Sequence, residues 1–235
     1  MDKLRTYRNR QLKLGSSGKN ALASRIAAVF LVSVLLLSAC SKTVVIQGAV
    51  PTPLVSQIPL RLGIYYSDSF KNFSYEESLK SDGNWTIELG QQNVLFFREL
   101  FTTLFLEVIE VDQEQLSAET IQTLGLDGIL VPEIEEYGFL TPGISGLNFY
   151  SASVKYNLRL LNGQASVAGE WHVVGYGKSE GGTFQGGEAV NSATLLAIRD
   201  GGARIAIDFP RQAFVKAFLA SLDVVPAKEV VSDQD

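Results

Sequence analysis

Apolar and polar residues alternate most cleanly in two stretches of the chain. In "LRLGIYY", Leu60, Leu62, Ile64 and Tyr66 oppose Arg61, Gly63 and Tyr65. That period of two is the mark of a strand with one buried face. The longer stretch is "SASVKYNLRLLNGQASVAGEWHVVGYG", where Asn162-Gly163 separates two alternating runs. This dipeptide is the strongest short hairpin signal. A two-residue turn there sets Val154 opposite Trp171, Leu158 opposite Val167 and Tyr156 opposite Gly169. On the other face it sets Lys155 opposite Glu170 and Ser153 opposite His172. Large apolar residues then share one face and charges the other, a sorting that a one-residue slip would destroy.

Other periods fill in the layout. "NWTIEL" (84–89) and "LEVIEV" (106–111) read as short strands. Between them Val94, Phe97, Phe101 and Leu104 recur at three- and four-residue steps, which predicts an amphipathic helix over 91–105. Ser117 with Thr120 opens a short helix that Gly125 ends. "DGILVPEIEEYGF" follows as a strand, with Pro132 placing it at an edge or a bulge. Residues 189–222 read mainly as helix, with Phe214, Ala217, Phe218 and Leu222 on one stripe of its second half. Gly201-Gly202 and Pro210 are expected to weaken or kink it. The expected fold is α/β (α+β): a single mixed sheet with a long Asn-Gly hairpin, covered by two or three helices.

The apolar run from Ile26 to Leu37 is twelve residues long, interrupted by Ser33. A membrane-spanning helix needs about 20, whereas a secretory h-region takes about 7–15. Seven Lys and Arg precede the run with one acid, Asp2, which makes a positive n-region. The run ends in Leu37-Ser38-Ala39-Cys40. This resembles the lipobox of bacterial lipoproteins, an aliphatic residue and two small residues before a cysteine. The resemblance implies cleavage between Ala39 and Cys40, a diacylglycerol on the Cys40 thiol and an acyl chain such as palmitate on the new amino end. Serine after that cysteine, here Ser41, implies delivery to the outer membrane on its periplasmic face.

Removal of 1–39 changes the charge. The remainder keeps 13 basic and 24 acidic residues, a formal charge near −11. Such a chain repels nucleic acid and anionic headgroups, so attachment to a bilayer has to come from the lipid. One acyl chain binds only marginally, while further chains make the anchor effectively permanent. Cys40 is the sole cysteine, so acylation leaves no thiol for a disulfide or a nucleophile. Pro51, Pro53 and Pro59 mark residues 40–59 as an extended tether after the lipidated cysteine, with a short strand at Thr43–Gln47 allowed for. The domain is assigned to 60–222 and an acidic tail to 223–235.

Candidate chemistry is thin. Gly177-Lys178-Ser179 matches the end of a phosphate-binding loop, but His172 stands where its first glycine belongs. Glu133 and Glu135 share a strand face and suggest glycoside cleavage or calcium binding; a solvated, charge-protected strand explains them equally. His172, the sole histidine, is read as a solvated cross-strand residue. Phe70, Phe73, Tyr75 and Trp85, set among polar residues, suggest a partner-binding surface or a cover for the core.

With "GILVPEI" and the hairpin "VKYNLRLLNGQASVAGEW" in place, the order of elements over 60–222 resembles the small α/β domain of several envelope lipoproteins. These are the curli-secretion lipoprotein, the lipoprotein activators of penicillin-binding proteins and the N-terminal domain of the Tol-system propeller protein. The resemblance implies a non-enzymatic adaptor or assembly factor of an envelope complex, without metal or cofactor, whose partners are envelope proteins or cell wall. The alternatives are an envelope glycan hydrolase or ligand-binding lipoprotein using Glu133, Glu135 or His172, and an oligomeric export component.

Overall fold

The computed structural model describes residues 41–222, apart from 50, 52–53, 81 and 181–185. The expected signal segment, Ala39, Cys40 and the expected tail 223–235 lie outside the described residues. The fold is α+β, as expected, but it has two mixed sheets in place of one. The smaller sheet contains β1 (Ser41–Val45), β3 (Ser74–Leu79) and β4 (Gly83–Glu88) in the order β1-β4-β3. The larger contains β2 (Ile58–Ile64), β5 (Phe105–Glu110), β6 (Gly128–Leu140), β7 (Tyr150–Leu161) and β8 (Val167–Ser179) in the order β5-β2-β6-β7-β8. Strand β2 runs parallel to both β5 and β6, and β6-β7-β8 is an antiparallel meander.

Helices follow the apolar stripes. Helix α1 (Asp68–Lys71) is capped by the Ser67 side chain. Helix α2 (Gly90–Leu104) buries Val94, Phe97, Phe101 and Leu104, the predicted stripe, together with Phe96 and Leu100. Helix α3 (Ala118–Thr123) starts at the Ser117 cap and ends before Gly125, which adopts φ 62°. It covers a small cluster of Val111, Ile121, Leu126, Ile129, Val131 and Leu161 on the second face of the larger sheet. A single turn, α4 (Pro142–Ser145), lies between β6 and β7. The main core lies under α2 and α5 (Gly186–Asp208), with α6 (Ala213–Ser221) beside them. Within it the Tyr156 hydroxyl donates to Asn93 Oδ1, tying α2 to β7.

Several expectations are corrected. Helix α5 passes straight through Gly201-Gly202. The pair makes room: a Cβ would stand 3.0 Å from the Tyr156 ring at Gly201 and 2.2 Å from the Phe96 ring at Gly202. The break comes at Pro210, in a 3-10 turn over Phe209–Arg211. On α6 the buried side chains are Val215, Phe218 and Leu219, so the stripe is rotated and Ala217 is exposed. Strand β6 is internal, yet Pro132 lies beyond Leu130, the last residue paired to β2, and the register shifts between Ile134 and Glu136.

The hairpin register also differs. Leu158 pairs with Trp171, Tyr156 with Val173 and Val154 with Gly175. The loop is wider than a two-residue turn because Asn162 closes it from the side. Its Oδ1 accepts the N–H groups of Gln164 and Ser166, while Ala165 takes φ 56°. Each pairing moves by an even number of residues, so the sorting of faces survives.

The largest correction concerns the tether. Strand β1 pairs in parallel with β4 from Ser41↔Asn84 to Val45↔Glu88. Side-chain amides then clamp the chain between α2 and α5. Gln47 N donates to Asn191 Oδ1 at 2.9 Å and Asn191 Nδ2 returns a bond to Gln47 O at 3.2 Å. Gly48 exchanges the same two bonds with Gln92, at 3.1 and 3.2 Å. Arg199 donates to Ala49 O at 2.9 Å. Residues 41–49 are therefore part of the folded domain.

Helix α5 approaches β8 backbone to backbone. A Cβ at Gly177 would lie 1.9 Å from Ala193 O, and one at Gly175 2.1 Å from Ala197 O. Gly177→Ala must push helix and sheet apart, and is expected to cost about 1–3 kcal/mol or more in urea unfolding. Gly163→Ala, which meets nothing within 4 Å, should leave the midpoint unchanged or slightly raised.

Candidate functional site

Alternation along β6, β7 and β8 sends one set of side chains to the core and the other to an outer face. On β7 the outer set is Ser151, Ser153, Lys155, Asn157 and Arg159. Their partners on β8 are Lys178, Tyr176, Val174, His172 and Glu170. The register shift between Ile134 and Glu136 leaves Glu135 as an extra residue. Glu135 still shares the outer face with Glu133, as expected from the sequence, and Glu136 pairs with Lys155.

The charges on this face are paired. Glu133 accepts from Arg159 and, at 3.3 Å, from Asn157 Nδ2. Arg159 Nε also lies 3.2 Å from Glu170 Oε1, an ion-pair distance without hydrogen-bond alignment. Glu135 Oε2 lies 2.9 Å from Lys155 Nζ and 3.1 Å from His172 Nδ1. Glu170 therefore partners Arg159 rather than Lys155, and His172 stands opposite Asn157 rather than Ser153. The structure brings His172 and Glu135 together, a meeting the sequence did not reveal because the two residues are 37 apart.

The Lys155 hydrogen bond is the main reason the Glu135 carboxyl is held below its ordinary value. Glu135 in turn raises Lys155. An ionised, solvent-facing carboxylate of this kind is a poor proton donor, whereas a glycosidase needs a general acid with a raised pKa. Among the described residues no group of three His, Cys, Asp or Glu side chains is placed to hold a metal ion.

Farther along the same face, Gly138, Ser151 and Ser153 floor an open depression rimmed by Leu140, Tyr176 and Lys178. It was missed in the sequence because small residues at outer positions carry no periodic signal. The missing side chain of Gly177 admits α5, and Lys178 Nζ sits 4.0 Å over the Phe149 ring.

The aromatic group packs inward. Phe70 and Trp85 are each 1% exposed, which removes them from a partner-binding surface. Phe73 and Tyr75 are partly buried against the same core. Their rings close the seam between the two sheets: Tyr75 lies 5.2 Å from Tyr137, and Trp85 lies 5.3 Å from Phe139. The polar residues between them occupy the opposite strand positions, which made a core seam look like a mixed surface loop.

No known family model matches the chain, and no curated protein matches it. Several solved structures share part of its layout. A Xanthomonas campestris protein of family DUF330 aligns over 69% of this chain and 97% of its own, at 10% identity and TM-score 0.41. The lipoprotein GNA1162 of Neisseria meningitidis aligns over 59% and 98%, at 10% identity and TM-score 0.30. PelC of Paraburkholderia phytofirmans, solved as a dodecamer, aligns over 66% and 99%, at 14% identity and TM-score 0.28. Among the described residues no helix is long and apolar enough to cross a membrane.

A carboxylate whose native pKa is lowered stabilises the fold fully above its ordinary value, near 4.5 for Glu135. That contribution is lost as pH falls through the native value. The stability difference between wild type and Glu135→Gln should therefore be small, because the pairs face solvent, and should vanish in acid. Urea midpoints of the two proteins measured from neutral pH to about pH 3 check this.

Proposed function

We propose that the protein is a lipid-anchored envelope lipoprotein, held through Cys40 on the periplasmic face of the outer membrane, that acts as a non-enzymatic adaptor or assembly factor. The observation that carries the anchoring is the meeting of two independent boundaries. The lipobox ends at Cys40, and the second of the chain's two compact units begins at Ser41. Cleavage before Cys40 would release a domain whose first described strand starts one residue later. The Ser41 side of the motif favours the outer membrane.

The outer face of β6-β7-β8 supports the adaptor reading. Lys155 is paired with Glu135, and Arg159 is shared by Glu133 and Glu170, which lowers the cost of covering these charges; the depression of small residues offers a shallow seat for a partner side chain. The lowered Glu135 suits an ion pair better than acid catalysis. Envelope proteins are the expected partners, with cell wall the other.

Crosslinking in intact cells tests both parts. Wild type is expected in the membrane fraction, with discrete crosslinked species formed from a photoreactive group at Ser153. Cys40→Ala is expected to stay as the larger, unlipidated precursor that keeps its apolar 26–37 segment, and to lose those species. A wild-type protein found in the soluble fraction overturns the anchor. A membrane-bound protein that gives no discrete crosslink at Ser153 overturns the adaptor surface.

A further inference from the structure

The integration of β1 into the fold has a geometric consequence, which rests on the lipid-anchor reading above. Cys40 is bonded to Ser41, and consecutive Cα atoms are about 3.8 Å apart. Ser41 is already paired with Asn84. A lipidated Cys40 therefore brings the end of the domain that holds Ser41 to the bilayer, with no tether to hold it clear.

The structure identifies that end. Strands β4 and β6 run past each other in opposite directions, with rings in contact at two levels. Tyr75, which pairs with Ile87, lies 5.2 Å from Tyr137; two residues nearer the start of β4, Trp85 lies 5.3 Å from Phe139. A Cβ on Gly186 would stand 3.1 Å from the Tyr150 hydroxyl and 3.5 Å from the Trp85 ring, so the start of β7 is there as well. The start of β1 thus shares one end of the domain with the connection from β6 to β7. That connection exposes Leu140 (45%), Ile144 (44%) and Leu147 (53%) within eight residues. Two cations flank it, Lys178 over Phe149 and Lys42, which lies 4.5 Å from the Trp85 ring centroid and is ion-paired to Asp82.

We propose that the β6–β7 connection is a second membrane contact, in which Leu140, Ile144 and Leu147 rest in the headgroup–acyl boundary of the bilayer that holds the acylated Cys40. The contact is apolar in kind. A chain of formal charge near −11 gains nothing overall from an anionic surface, whereas apolar side chains enter the interface irrespective of that charge. Anchor and connection together make two points of attachment. They turn the outer face of β6-β7-β8 to a fixed angle with the membrane.

The test uses the full-length protein, processed and lipidated in cells. With Cys40 acylated, Leu147→Cys offers the one free thiol for a nitroxide label. Leu106→Cys serves as the reference. Leu106 is also exposed, at 58%, but lies on β5 beside the start of β2. Strand β6 extends ten residues past its pairing with the end of β2, roughly 33 Å, so Leu106 belongs to the opposite end. Each labelled protein is reconstituted in phosphatidylethanolamine–phosphatidylglycerol vesicles, and its relaxation by oxygen is compared with that by a water-soluble nickel chelate. The expected result is a label at 147 relaxed more by oxygen and a label at 106 relaxed more by nickel. Protein that floats with the vesicles but shows both labels nickel-accessible overturns the second contact and leaves the lipid anchor standing. Protein that does not float with the vesicles overturns the anchor and the contact together.

Discussion

Strand β1 pairs with β4 from its first residue, and the placement of the whole domain depends on that pairing. Five residues are held in a parallel ladder, Ile46 N donates to Glu88 O, and the next three are clamped by Asn191, Gln92 and Arg199 from two helices. Amide side chains that both donate to and accept from the main chain act here as short substitutes for a neighbouring strand. A segment that would otherwise be a flexible leash becomes a fixed part of the fold.

The two sheets are joined by rings, and α5 is joined to the larger sheet by closely approaching backbone. Trp85, Tyr75, Tyr137 and Phe139 fill the seam between them. On the larger sheet, α5 lies against β8 at a distance that only Gly175 and Gly177 permit, and Tyr176 N donates to Asp200 Oδ2 at 3.0 Å. That bond satisfies a donor on an edge strand, where unpaired groups invite association. With one face of β6-β7-β8 sealed by helices, the other is left with paired charges and a depression of small residues. On the proposed adaptor role, that is the face a partner would cover.

Much of this fold could be read in the chain. Leu60, Leu62 and Ile64 alternate as a buried strand must, and Val94, Phe97, Phe101 and Leu104 repeat as a buried helix must. Both patterns report contact with a core that need not be known in advance. The hairpin faces were legible, but the register was not, because Asn162 closes a wider loop with its own side chain. Gly201-Gly202 was legible as a weak point of a helix only while its neighbours, Tyr156 and Phe96, were unknown. The clamping of 47–49 was hidden because its partners are polar and up to 150 residues away. The candidate site was half visible: Glu133 and Glu135 were correctly placed on one face, while their pairing with Arg159, Lys155 and His172 needed the register. Phe70 and Trp85 appeared available because polar neighbours masked their inward direction.

The proposed placement requires β1 to belong to the domain when the lipidated protein is held on a bilayer. Amide hydrogen exchange of the lipidated protein in vesicles measures this directly. Ile46 N, which donates to Glu88 O at 2.8 Å, and the amides of β1 are predicted to exchange as slowly as those of β4. Exchange of β1 at the rate of a free chain, with β4 still protected, would contradict the account.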